Sequence, residues 1–415
     1  MCDKKTLKTC HIYGMLQRNA KGRHISFHTP GHKDGRWDIT ELSFSDNLSS
    51  PRGCIAEAER DIAEILGANR SFILTDGSTS GVLSMLHAAK ATGVRSVIVI
   101  EPVHKSVYNA CSLLKLTPFF FTQTLSVLEE QPYFGQADAV LCTSPDYYGK
   151  VLDLPLLRAL CDKTGKLLLI DGAHGGHLHF NKQLYAGAYG DIWVDGVHKS
   201  LPALTQGAVV SARTERLAKY LREAVDVFRT TSPSYPSMAS VEYAVKYPEN
   251  NGLETAVRAY AKAQERVQVN GDWTKLCAFF GEYAKKAQQT LEALGIYAEF
   301  CDGETLCFYL SPATKHRDFR LLTKTLDTLF KRFPATEKKK VQRTPAPVLL
   351  HDRQTEWIPL DKSVGRVAAA NCGLFPPCTP LVKVGEVITR EHLTLLQNAD
   401  NVFGIYEDKI AVWIR

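Results

Sequence analysis

Seven short apolar runs punctuate the first half of the chain: Ser71–Leu74, Ser96–Ile100, Pro118–Phe121, Ala139–Thr143, Leu167–Asp171, Asp191–Val194 and Gly207–Ala212, each bounded by Gly, Asp, Ser or Pro. An uninterrupted apolar run of strand length fits a strand covered on both faces, where an alternating run would fit a half-exposed one. Between the runs lie amphipathic stretches such as Gly81–Ala91 and Leu154–Lys163, long enough to cross back over a sheet. The pattern predicts an α/β domain built on a seven-stranded, mostly parallel sheet. In such a sheet the chemistry collects beyond the carboxyl ends of the strands.

The rest of the chain is apportioned around that block. Residues 1–50 are rich in Pro, Gly and His and read as an irregular arm, and 51–252 as the large domain. Residues 253–415 read as a smaller α+β domain: a long helix over Leu253–Leu294 broken near Asn270-Gly271-Asp272, a hairpin through Ala298–Phe300, Gly303 and Leu306–Leu310, and a helix over Phe319–Phe333. A linker is expected near 335–347, where Lys338-Lys339-Lys340 precedes Pro345 and Pro347.

With 415 residues, 45% hydrophobic and 23% charged, the chain is too apolar for a disordered one. Its net charge of +6 is spread along the whole length, which leaves no footprint for nucleic acid. Eleven cysteines at irregular spacing, without a CxxC pair, fit reduced thiols. Met1–Ala20 lacks the apolar core of a signal peptide, and no apolar run approaches the ~20 residues of a membrane span, so a cytoplasmic protein is expected.

The residues just past each strand narrow the chemistry. Strand one leads into Thr75-Asp76-Gly77-Ser78-Thr79-Ser80-Gly81, where hydroxyls and backbone N–H groups at a helix start suit a phosphate or a plain N-cap. The Gly-Lys-Ser/Thr ending of a Walker loop is missing. Strand two leads into Glu101-Pro102-Val103-His104, strand five ends in Asp171-Gly172-Ala173-His174-Gly175-Gly176-His177-Leu178-His179, and strand six is succeeded by His198-Lys199. A carboxylate, a lysine and a hydroxyl-rich cradle on successive strand ends form the parts list of a pyridoxal-phosphate site, with His104 available to stack on the ring. Two other readings fare worse. Gly172-x-x-Gly175-Gly176 lacks dinucleotide spacing, and His174, His177 and His179 lack Cys or acidic companions at metal spacing, so no metal is expected.

These residues also carry a family resemblance. Phe27-His28-Thr29-Pro30-Gly31-His32-Lys33, Asp171-Gly172-Ala173-His174-Gly175, His198-Lys199 through Gly207 and Thr231-Ser232-Pro233-Ser234-Tyr235-Pro236 resemble the bacterial ornithine/lysine/arginine decarboxylases. Val364-Gly365-Arg366, Phe375-Pro376-Pro377, Pro380 and Gly385-Glu386 resemble that family's C-terminal domain. The resemblance implies the aspartate-aminotransferase-like fold, fold type I, with pyridoxal 5'-phosphate as cofactor. It implies α-decarboxylation of a basic amino acid in a homodimer with shared active sites, and a length without room for the N-terminal wing of larger members. Lys199 looks like the Schiff-base lysine, Asp171 like the pyridinium partner and His104 like the stacking imidazole. Ser78, Thr79 and Ser80 look like phosphate ligands, with Ala173 and His174 beside the ring and His198 as a phosphate-side or proton-transfer group. Ser232 resembles a residue offered across the dimer interface, and Thr29–Lys33 an entrance segment, with His28 near the substrate. Asp46 is either an acidic substrate partner or a loop cap.

Three positions depart from the family pattern: Gly172 where Glu is frequent, Gly196 where Ser is usual, and Cys378 in place of a glycine near the substrate mouth. Transamination or β-elimination on the same cofactor, or a non-catalytic regulatory paralogue, are the alternatives that the residues leave open.

Overall fold

The structure, a computed structural model, describes residues 3–334, 354–374, 378–397, 399 and 401–414. The expected linker near 335–347 and the Phe375-Pro376-Pro377 motif lie outside the described residues.

The seven apolar runs are strands β1 (Arg70–Leu74), β2 (Ser96–Ile100), β3 (Thr117–Phe121), β4 (Ala139–Thr143), β5 (Leu167–Gly172), β6 (Ile192–Asp195) and β7 (Ala208–Ala212). They belong to one mixed sheet. Parallel pairing joins β5 to β6 and joins β2 to both β3 and β4. β7 runs antiparallel to β1 and β6. Ile98, Leu169, Val194 and Val210 are fully buried, as uninterrupted apolar runs require.

The chain divides into two compact units, Met1–Gly93 with Ser144–Lys339, and Val94–Thr143 with Lys340–Arg415. In the first, the helix Gly77–Ala91 buries Val82, Met85, Leu86, Ala88 and Ala89, and the helix Glu215–Phe228 packs against it. This helix starts at Gly77, ahead of the expected Gly81, so Ser78–Ser80 form its first turn.

Two expectations are corrected here. The N-terminal 50 residues are not irregular throughout: Lys4–Leu7 and His11–Lys21 are helical, the latter burying Ile12, Met15 and Leu16 at the spacing of one helix face. The long helix over Leu253–Leu294 is two shorter helices, Asn251–Ala263 and Ala284–Ala293, separated by strands β8 (Val267–Val269) and β9 (Lys275–Phe279). These strands join β10 (Phe300–Cys301) and β11 (Thr305–Tyr309) in an antiparallel sheet. Leu276, Phe280, Leu306 and Leu326 centre the core beneath it.

In the second unit β4, β2 and β3 accompany the helix Lys105–Leu113 and two small antiparallel sheets, with a separate core around Ala368, Cys372, Val382, Ile388 and Ile410. Among the described residues no helix is long and apolar enough to cross a membrane.

Candidate active site

The carboxyl ends of β5 and β6 and the helix start after β1 deliver the predicted residues to one place in the first unit. β5 ends at Asp171-Gly172; Asp171 is 2% exposed and its Oδ1 accepts the Ala173 N–H at 3.1 Å. Burial raises its proton affinity, and the Lys199 ammonium and the Ala173 N–H oppose that shift. The Lys199 Nζ lies 3.1 Å from His174 Nε2 and 5.6 Å from the centre of the Tyr147 ring. The His174 ring packs tilted against Tyr147 at 4.3 Å and meets Tyr309 edge-on at 5.7 Å.

Ser78 reaches the same neighbourhood. A Cβ added to Gly196 would sit 2.2 Å from the Ala173 carbonyl oxygen and 2.7 Å from Ser78 Oγ, so the turn leading to Lys199 is closed around a glycine. A side chain at Gly172 is barred as well, since its Cβ would lie 2.9 Å from the Val194 carbonyl. Both departures from the family pattern are therefore built into the local backbone. Ser78 Oγ is buried without a hydrogen-bond partner among the described residues, as is Thr75 Oγ1. By contrast Ser80 donates its hydroxyl proton to Gly77 O at 2.9 Å, and Thr79 is exposed.

His198 is held by its Nδ1 at 2.9 Å from Gly207 O. A carbonyl only accepts, so Nδ1 carries the proton and Nε2 is the basic nitrogen. Burial lowers its proton affinity, as does the nearby Lys199 charge, while the bond to Gly207 O works the other way. The three histidines after β5 face three different partners: His174 faces Lys199, His177 Nε2 lies 2.9 Å from Asp272 Oδ1, and His179 Nδ1 lies 2.7 Å from Gly176 O. Burial pushes His179 down to about 4.

Asp46 acts as a loop cap: its carboxylate accepts the N–H groups of Asn47, Arg52, Gly53 and Ile55 at 2.8–2.9 Å, fastening the loop ahead of the helix Cys54–Leu66. Burial works against its charge, but these four N–H groups outweigh it and hold the carboxyl below the usual range. Ser232 is exposed, its N–H bonded to Thr230 Oγ1 at 3.1 Å. His28 lies in a largely exposed segment, with its Nε2 at 2.9 Å from His24 Nε2. In the second unit, His104 caps the helix Lys105–Leu113, its Nδ1 accepting the Ser106 N–H at 3.1 Å. Cys378, also in that unit, holds a φ of 59°, a left-handed conformation that favours glycine.

Sequence reasoning misses Tyr147, Tyr309 and two buried acids, Asp195 and Asp272. Asp195, the last residue of β6, is 1% exposed, and its Oδ2 accepts from Tyr185 Oη at 2.7 Å and from Trp193 Nε1 at 3.1 Å. Its Oδ1 has no hydrogen-bond partner among the described residues. Burial raises its pKa to about 7 against those two donors, with the Asp171 charge adding to the rise.

The family described as Orn/Lys/Arg decarboxylase, major domain, matches residues 36–129 and 126–323. The chain is 27% identical to an arginine decarboxylase of Halalkalibacterium halodurans, over 93% of this chain and 92% of the relative. An arginine decarboxylase of Bacillus subtilis is 25% identical over 94% and 93%. Among solved structures, the constitutive lysine decarboxylase of Escherichia coli superposes with a TM-score of 0.77 at 18% identity, covering 98% of this chain and 82% of that one.

Proposed function

The chain belongs to the Orn/Lys/Arg decarboxylase family, and from that premise we propose that it releases CO2 from the α-carboxylate of arginine with pyridoxal 5'-phosphate as cofactor, acting as a cytoplasmic homodimer. The observation that carries this reading is the meeting of Asp171, Lys199, His174 and Ser78 in one unit, with the Ser78 hydroxyl unpartnered among the described residues and burial of Asp171 incompletely offset.

The residues present fit the cofactor. Ser78 Oγ, an orphaned buried hydroxyl in the first turn of a helix, would accompany that turn's N–H groups in holding a phosphate. The Asp171 carboxyl, costly to ionise in its buried position, would gain from a cationic ring nitrogen against it. Lys199 would anchor the aldehyde carbon through Nζ. When bound, pyridoxal phosphate supplies the electron sink for the pair left behind as CO2 departs. Lys199 Nζ would be one group able to return a proton to the α-carbon, and His198 Nε2 is a second basic nitrogen next to it in sequence. His174 Nε2 holds the Lys199 amine in place, and the half-buried rings of Tyr147 and Tyr309 pack against His174.

Arginine is favoured because the relatives named for an activity and matched in sequence over at least 90% of this chain are arginine decarboxylases, whereas the lysine decarboxylases match in sequence over 51–56% of it. The exposure of Phe27, Thr29 and Ser232 supports a second copy of the chain packing over these residues. The test is a product assay on purified protein supplied with pyridoxal phosphate and carboxyl-labelled arginine, lysine or ornithine. Labelled CO2 and the matching amine, fastest with arginine, support the proposal. A keto acid, or no turnover with any of the three, refutes it.

A further inference from the structure

In the first unit, beside the site, is a fully buried charged group that the proposed chemistry does not use. Asp272 lies on the turn between β8 and β9 and Lys275 opens β9, and both side chains are 0% exposed. Lys275 Nζ sits 3.2 Å from Asp272 Oδ2, donates to Thr274 Oγ1 at 2.9 Å and to the His174 carbonyl oxygen at 3.4 Å, and stands 4.4 Å from the centre of the Tyr309 ring. Asp272 Oδ1 accepts the N–H of Thr274 at 2.8 Å and its hydroxyl at 2.7 Å, besides facing His177 Nε2. A buried ion group of this kind is a poor source of net stability, since apolar residues of similar volume pack as well or better. Its contacts lead instead to the surroundings of the Lys199 amine.

Two routes connect them. Lys275 holds the carbonyl of His174, the residue whose Nε2 is 3.1 Å from Lys199 Nζ. Its ammonium also sits on the ring of Tyr309, whose hydroxyl donates to the Tyr147 carbonyl at 3.0 Å, and Tyr147 packs on His174. The same turn grips the Tyr147 loop directly: Asn270 Nδ2 donates to Tyr148 O at 2.6 Å, and the Asp272 N–H to Gly149 O at 3.0 Å. Gly149 has a φ of 78°, and a Cβ there would lie 3.0 Å from the Asp272 carbonyl, so the two loops meet backbone to backbone.

We propose that Lys275, fixed by Asp272 and Thr274, is a positioning residue for the reaction: it sets the His174 and Tyr147 rings that flank the Lys199 amine. The inference rests on the reading that Lys199 is the reactive amine, and its test separates the two. Lys275→Met keeps most of the volume and removes the donor. The expected result is a kcat lowered about tenfold or more with KM within about threefold, as for a residue acting through first-contact groups. In cofactor-free protein, the rate at which trinitrobenzenesulfonate modifies Lys199, followed by peptide mass spectrometry, changes by at least about threefold as the amine's surroundings change. Thr274→Val, which cuts the hydroxyl link without removing a charge, moves both readouts the same way, and Thr274→Ser restores them. These variants decide the matter if Lys275→Met does not fold. Leu306→Ala, a cavity in the same core, lowers the thermal midpoint and leaves Lys199 labelling unchanged. The proposal is overturned if Lys275→Met and Thr274→Val leave kcat and labelling within about twofold, or if Leu306→Ala reproduces their effect. A wild-type protein whose Lys199 labels as expected but which releases no CO2 overturns the decarboxylase reading alone.

Discussion

Two sets of buried carboxylates in the first unit are treated in opposite ways. Asp46 and Asp272 are compensated, the first by four backbone N–H groups and the second by His177, Lys275 and Thr274, and both are held below the ordinary carboxyl range against the pull of burial. Asp171 and Asp195, on neighbouring strands, are raised by burial that their partners do not offset. The compensated pair fastens loops, whereas Asp171 lies at the end of the strand before His174 and Asp195 at the end of the strand before Lys199. A charge left incompletely compensated in a folded core is a standing cost, and it is removed when a cation of the right shape arrives. That contrast separates the carboxylates that build the fold from those available for chemistry.

The contrast can be broken experimentally. Asp171→Asn removes the one negative charge proposed for the cofactor nitrogen. It should lower kcat on the order of a hundredfold to a thousandfold, as loss of a preorganised electrostatic partner does, while the thermal midpoint stays level or rises. Asp272→Asn should do the reverse to stability. It leaves Lys275 buried without its partner and should cost about 3 kcal/mol or more in denaturant titration. Because the Asp272 pKa is depressed, the stability it contributes is present above the ordinary carboxyl range and is lost as pH falls through its folded value. The variant should therefore lie closest to wild type in acid.

Asp195 has the opposite sign. With a folded pKa of about 7, its contribution is fully present below the ordinary carboxyl range and is lost as pH rises towards 7. Asp195→Asn should consequently gain on wild type as pH rises from the ordinary carboxyl range to above 7 in matched unfolding curves, and parallel curves would contradict the assignment. The smallest effect separates two serines on one helix turn. Ser78→Ala, which deletes the hydroxyl without a partner, should weaken retention of pyridoxal phosphate about tenfold. Ser80→Ala, whose hydroxyl is already given to Gly77, should change it by less than about threefold in an equilibrium dialysis titration.

The same contrast explains what the sequence disclosed. Asp171 closes an unbroken apolar run, and Lys199 and Ser78 come shortly after two others, so their positions can be read from the runs. Asp46 reads equally as substrate partner or loop cap, and the cap becomes visible only where Arg52–Ile55 fold back onto it. Asp195 lies one residue beyond an apolar run that ends at Val194, so nothing local marks it as part of the strand. Asp272 and Lys275 sit at and just past the expected break in a stretch that otherwise reads as long helix. A contrary signal is present in Val267-Gln268-Val269, Asn270-Gly271 and Leu276–Phe279, two short apolar segments around a hairpin dipeptide. Helical periodicity on either side outweighs it, and the ion group formed by tertiary pairing has no local pattern to read.

The central claim is that Lys199, at the end of these strands, carries an amino-acid decarboxylation. Its most direct test is release of labelled CO2 from carboxyl-labelled arginine by wild-type and Lys199→Ala protein, each supplied with pyridoxal phosphate and each shown to be folded. The account predicts steady release by wild type and a loss of at least about a thousandfold in the variant, as for removal of a covalent catalytic group. Equal release by both proteins would contradict it.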